Sequence, residues 1–243
     1  MVGIISDIGN YRKINEDSVG YFEDLNLRFY VVADGMGGHN AGEVASTLAV
    51  ENVMNYFKQV DTKCDFKGAL VNSIDKANKH VYTLSIEKDK YKGMGTTITV
   101  CLIYKNKAYI AHVGDSSCII VKKNKTIEKI TKDHSLVQEL IDSGSITREE
   151  AINHPNKNII TRALGTSENI NVDVYEFDVD DVYRILLCTD GLTNVVSLEE
   201  ILEYTLSYTE EEVCKRLVEL SKKNGSKDNI SVIVFKGADE NDR

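Results

Sequence analysis

The chain has 243 residues, 42% of them hydrophobic and 28% charged, which is the balance of an ordinary globular protein long enough for one sizeable core. A net charge of −9 argues against a nucleic-acid backbone as ligand, because that needs clustered Lys and Arg. Cys64, Cys101, Cys118, Cys188 and Cys214 are scattered and never spaced as CxxC, which excludes a zinc ribbon or a disulfide framework.

The first apolar run, Val2 to Ile5, predicts a strand, and Gly9-Asn10 turns the chain toward Arg12 and the acidic pair Glu16-Asp17. A hairpin follows, from a strand near Val19 to Phe22 into the run Phe29 to Ala33, which ends at Asp34-Gly35. Ala41 to Phe57 and Phe66 to Glu87 carry apolar residues every three or four positions and predict two helices forming one layer. The runs Thr96 to Tyr104, Ala108 to Val113 and Ser117 to Lys122 are closely spaced and β-branched, and predict a meander. A helix from about Asp133 to Ser143 and a short one opened by the capping-box pattern at Thr147 to Glu150 come next.

Asn153 to Asn171 is polar, aperiodic and holds the single proline, Pro155, so it reads as an excursion outside the core; with the preceding turn the flap spans about 142–171. Strands at Val172 to Phe177 and Tyr183 to Thr189, helices at Val195 to Leu206 and Glu210 to Lys222, and a strand at Ile230 to Phe235 complete the chain. A frayed tail is expected over 237–243. Runs of antiparallel strands with segregated helix pairs give an α+β fold in layers, read as one domain over 1–243. Cys101 and Cys188 are expected to be core residues. With no apolar run of about 20 residues and no basic leader, a cytoplasmic location and no membrane contact are expected.

Three apolar runs end in an aspartate beside a glycine, at Asp34-Gly35, Gly114-Asp115 and Asp190-Gly191, and Asp228 stands just before a fourth. If the runs are antiparallel neighbours, four carboxylates meet at a single sheet edge. Such carboxylates raise one another's pKa, and hard cations with oxygen ligands are the simplest remedy. Any one Asp-Gly pair is ordinarily just a turn; four acidic strand ends beside an arginine-bearing hairpin are not so easily dismissed. HExxH, an EF-hand loop and the phosphate-cradling GxxxxGK[ST] are absent, which leaves Mg²⁺ or Mn²⁺ as the expected ions.

Seven segments carry a family resemblance: SDIGNYRKINEDS from Ser6, VVADGMGGHNAGEVAS from Val31, GMGTT from Gly93, HVGDSS from His112, ITRALG from Ile160, LLCTDGL from Leu186 and GSKDNISVIV from Gly225. Together, in this order, they resemble the metal-dependent protein phosphatases of type 2C, and in particular the short bacterial stand-alone members. The resemblance implies an αββα sandwich with a two-metal site at one end, hydrolysing phosphoserine and phosphothreonine by direct attack of a metal-bridging water. It implies that Asp34 bridges the metals, that Gly35 coordinates through its carbonyl, and that Asp190 and Asp228 are further ligands. Asp17 would contact a metal-bound water, Asp115 would hold a third, weaker ion, and Arg12 would bind the substrate phosphate.

His39 is the candidate general acid, with a metal-bound water as the alternative; distant members carry that histidine directly after the DG pair, where this chain has Met36. Ser117 stands where the family often has arginine. Expected partners are phosphoproteins made by a serine/threonine kinase, acted on by a monomer. The alternatives are a non-catalytic signalling module that keeps the fold, or a two-metal phosphohydrolase acting on small phosphate esters.

Overall fold

The computed structural model describes residues 1–24, 27–37, 41–152 and 154–237. Among the described residues, eleven strands fall into two sheets. In chain order they are β1 Val2–Asp7, β2 Asp17–Glu23, β3 Leu27–Met36, β4 Gly95–Thr96, β5 Ile98–Tyr104, β6 Lys107–Val113, β7 Ser117–Lys122, β8 Ile127–Lys129, β9 Asp173–Asp178, β10 Val182–Cys188 and β11 Ile230–Lys236. One sheet runs β1-β11-β10-β7-β8 and the other β2-β3-β5-β6-β9, with β4 paired to β3. All the pairings are antiparallel.

The helices are α1 Ala41–Phe57, α2 Phe66–Glu87, α3 Leu136–Asp142, α4 Arg148–Ile152, α5 Asp190–Thr193, α6 Leu198–Ser207 and α7 Glu210–Lys223. Side-chain alternation along β3 explains the layering. Phe29 and Val31 face α1 and α2, where they pack with Val53, Phe57, Leu70 and Ile74. Tyr30 and Val32 face the other sheet, against Cys118, Ile185, Leu187 and Phe235. Both faces of β3 are therefore buried, and the FYVVA run is apolar without interruption. The outer face of the first sheet is covered by α6 and α7 through Val213, Leu217 and Ile201. The order helix, sheet, sheet, helix is the expected αββα sandwich. Cys101 and Cys188 are fully buried in it.

The predicted meander is corrected. β5 and β6 pair in one sheet, but β7 pairs with β10 in the other. The chain changes sheet at Gly114-Asp115, where Gly114 takes a φ of +111°, a region open to glycine and strained for other residues. The carboxylates consequently approach from both sheets at one end of the sandwich, not along one sheet edge.

Two short elements, β8 and α5, were not expected. The excursion is not wholly outside the core either. Leu164 is fully buried and exchanges two backbone hydrogen bonds with Thr96, at 2.8 and 3.0 Å. The capping box at α4 is present, with Thr147 N–H donating to Glu150 Oε2 at 2.8 Å and Glu150 N–H to Thr147 Oγ1 at 3.2 Å. The tail from 238 onward lies outside the described residues.

Candidate metal centre

β2 and β3 pair in a register that sets Asp17 directly opposite Asp34. Asp17 points into the sandwich, where its Oδ2 accepts hydrogen bonds from Thr189 Oγ1 at 2.9 Å and Ser231 Oγ at 2.7 Å. Thr189 follows β10 and Ser231 lies on β11, so this one carboxylate ties the two sheets together at their shared end. Asp190 opens α5 and takes a hydrogen bond from Asn194 Nδ2 at 2.9 Å.

Arg12, Asp34, Gly35, Asp115, Asp190 and Asp228 line a single cleft of about 540 Å³. Arg12 Nη2 donates to Asp228 Oδ2 at 2.7 Å, and its Nη1 lies 3.9 Å from Glu16 Oε2. The loop carrying Arg12 is fastened from below by Asn229. Its Oδ1 accepts Glu16 N–H at 2.8 Å, and its Nδ2 donates to the carbonyls of Ile8 and Ile14 at 3.0 Å.

Gly35 has to be glycine, because a Cβ there would lie 2.1 Å from the carbonyl oxygen of Gly42 and 2.5 Å from that of Glu16. His39, the candidate general acid, lies outside the described residues.

Burial and mutual repulsion set the electrostatics. Burial first, then the charges of Asp190 and Asp228, push Asp17 up to about 7 despite the two hydroxyl donors. Burial and the nearby Asp190 raise Asp115 to about 8, and burial and Asp228 raise Asp190 to about 6. Asp34, walled in by protein at the cleft floor, is held well above the usual carboxylate range by burial and then by Asp17, Asp190, Asp115 and Asp228. The Arg12 guanidinium loses by burial but gains more from the hydrogen bond and charge of Asp228, and its pKa rises.

Asp17 Oδ1, Asp115 Oδ1 and Asp190 Oδ1 are buried without any hydrogen-bond partner. Buried carboxyl oxygens without a donor are what hard divalent cations satisfy, so the donor set fits Mg²⁺ or Mn²⁺. Among the described residues no three acidic or imidazole groups already converge as a closed cage. Cys188, at the end of β10 beside the cleft, is fully buried, and burial pushes its thiol up to about 12, which disfavours it as a thiolate nucleophile. His112 is a structural residue: fully buried, it pairs with Thr99 Oγ1 at 2.9 Å and the Lys132 carbonyl at 3.2 Å, and burial pushes it down to about 3.

Sequence reasoning passed over the hydroxyls. Thr97 Oγ1 accepts Asp34 N–H at 2.9 Å and meets Ser116 Oγ at 2.8 Å, linking the Asp34 strand end to the Asp115 turn. Thr96 Oγ1 donates to the Asp34 carbonyl at 2.9 Å. The available signal was the polar residue interrupting an otherwise apolar strand or its end, as at Thr189 and Ser231.

Comparison with known proteins identifies the family and the fold. The sequence profile of the family described as Protein phosphatase 2C matches residues 12–228. The "Serine/threonine phosphatase stp" of Listeria welshimeri is 39% identical over 238 residues, covering 94% of this chain and 92% of its own. The crystal structure of serine/threonine phosphatase Stp1 from Staphylococcus aureus is 36% identical, with a TM-score of 0.92, covering 97% of this chain and 94% of that one. The catalytic domain of serine threonine protein phosphatase PstP in complex with two manganese ions has a TM-score of 0.84 at 34% identity, covering 96% of each chain.

Proposed function

The chain belongs to the protein phosphatase 2C family and is a metal-dependent serine/threonine protein phosphatase, and from that premise we propose how its residues divide the work. The observation that carries the assignment is the cleft itself, lined by Asp34, Asp115, Asp190, Asp228 and Arg12, in which Asp115 and Asp190 each keep a buried oxygen with no hydrogen-bond partner. Asp34, with the Gly35 carbonyl, Asp190 and Asp228, would hold two Mn²⁺ or Mg²⁺ ions, and Asp115 a third. Bound there, the ions supply Lewis-acid polarisation of the phosphoryl oxygens and a water of lowered pKa.

The chain's own groups do the rest. Arg12 offers a planar fork that takes two phosphate oxygens at once. That fork donates to Asp228, so the carboxylate that would take a metal also orients the arginine at the cleft. Asp17, anchored by Thr189 and Ser231, keeps one free oxygen toward the centre, able to orient a water or to hold a proton near neutral pH. His39 would protonate the leaving serine or threonine oxygen. The substrates would be phosphoproteins made by a serine/threonine kinase, and five free cysteines support a reducing compartment such as the cytoplasm. Among the described residues no helix is long and apolar enough to cross a membrane.

The test is phosphate release from phosphoserine, phosphothreonine and phosphotyrosine peptides with Mn²⁺, with Mg²⁺ and with chelator. Release from the first two that stops with chelator is the expected result. Faster turnover of a nucleotide or small phosphate ester than of the peptides would overturn the protein-substrate assignment.

A further inference from the structure

Asp115 owes its position to backbone alone. Among the described residues, no side chain of another residue donates to its carboxylate, and the preceding Gly114 sits at φ +111° with Thr97 only 2.5 Å from where a Cβ would be. Glycine takes that φ without strain, so the direction of the turn is set by what bonds its peptide groups.

That bonding partner is His134, which is 7% exposed. Its Nδ1 accepts Gly114 N–H at 2.9 Å, while its own backbone N–H donates to the Gly114 carbonyl at 2.7 Å. The two bonds clip Gly114 from both sides. On its far side His134 engages the excursion. Thr161 N–H donates to the His134 carbonyl at 2.8 Å, and the neighbouring Ser135 bridges Ile160, which lines the cleft. The ring's Nε2 lies 3.2 Å from Asp173 Oδ2 in a bent approach, and Asp173 is held by Arg162 Nη1 at 2.6 Å.

We propose that His134 is a positioning residue that aims the Asp115 carboxylate and makes its aim depend on the 159–162 segment at the cleft rim. This rests on the metal-centre reading above. The chemistry constrains the ring: only a neutral imidazole with its proton on Nε2 can accept at Nδ1, and the Asp173 carboxylate faces that proton. Burial also favours the neutral form, against the pull of Asp173. An asparagine Oδ1 can replace Nδ1, whereas a glutamine oxygen reaches toward the Nε2 position and a leucine fills the volume with no acceptor.

The experiment titrates the full chain with Mn²⁺ alone, counting free Mn²⁺ by its EPR signal, and defines the Asp115-dependent ion as the one lost in Asp115→Asn. His134→Leu and His134→Gln are expected to weaken that ion about tenfold or more, and His134→Asn to recover to within about threefold of the unsubstituted protein. Thermal melting checks folding, and where His134→Leu fails to fold the Asn and Gln variants alone decide. Equal Mn²⁺ isotherms for Asn and Gln, an unchanged isotherm in Leu, or no Asp115-dependent ion at all would each overturn the proposal. Failure of the phosphatase reading would show separately, as absence of Mn²⁺-dependent phosphate release by the unsubstituted protein.

Discussion

Under α6 and α7, Arg184 and Glu210 are 6% and 3% exposed, yet their charges are met. Arg184 Nε donates to Glu210 Oε1 at 3.2 Å, and its Nη1 to the carbonyls of Thr205 and Tyr208. At the cleft end of the sandwich, Asp17, Asp115 and Asp190 each keep one buried oxygen that no donor meets. The two regions use the same currency of buried charge to opposite ends. A structural ion pair is neutralised from within the chain, because an unpaired buried charge is costly. In the cleft nothing within the chain neutralises Asp17, Asp115 and Asp190, so burial and mutual repulsion favour their protonated forms.

The largest break of that contrast is Asp34→Asn. Phosphatase activity should fall on the order of 10⁴-fold, ~5 kcal/mol of barrier, because the central ligand is lost. In chelator, however, its unfolding free energy should stay within about 1 kcal/mol of the unsubstituted protein or exceed it, since one member of a repulsive cluster has gone. Denaturant unfolding alongside peptide turnover checks both halves, and a protein that lost activity only by unfolding would erase the distinction.

Glu210→Ala is the opposite case. It leaves Arg184 buried without its partner and should destabilise by about 3 to 5 kcal/mol, while turnover per folded molecule is retained. Urea titration measures the first and active-fraction kinetics the second.

The smallest effect sharpens the comparison through pH. Asp17, Asp115 and Asp190 bind protons more tightly folded, at about 7, 8 and 6, than at their ordinary 3.8. A raised carboxyl pKa gives stability that is full below the unfolded value and is lost as pH rises through the folded one. Without metal, melting temperature should therefore fall by several degrees from about pH 5 to about pH 8.5. The rise on adding Mn²⁺ should grow over the same range, because the ion displaces those protons. A metal-free melting temperature that climbs with pH would contradict the buried cluster.

Much of this was legible in the residues. The two long helices run from Ala41 to Phe57 and from Phe66 to Glu87 as their periodicity predicts, because each buries one continuous stripe. The acidic strand ends stood out because a charge that abruptly ends an apolar run has no packing reason to be there. The crossover of β7 was not legible: the runs on either side of Gly114-Asp115 look like hairpin partners, and local spacing says nothing about which sheet a strand joins. The roles of Thr97, Thr189, Ser231 and His134 were hidden for a related reason, since each acts on a residue distant in sequence or across the sandwich.

The sequence by itself determined most element types, the uninterrupted apolar run Phe29 to Ala33 of β3 and the acidic residues that would need cations, since those follow from periodicity and from the chemistry of each side chain. Only the tertiary structure decided that Asp17 opposes Asp34, that carboxylates from two sheets share one cleft, and that His134 clips the Asp115 turn. Those facts depend on strand register and on contacts between segments that meet only when both sheets close over a common core, and the energies that select them are non-local.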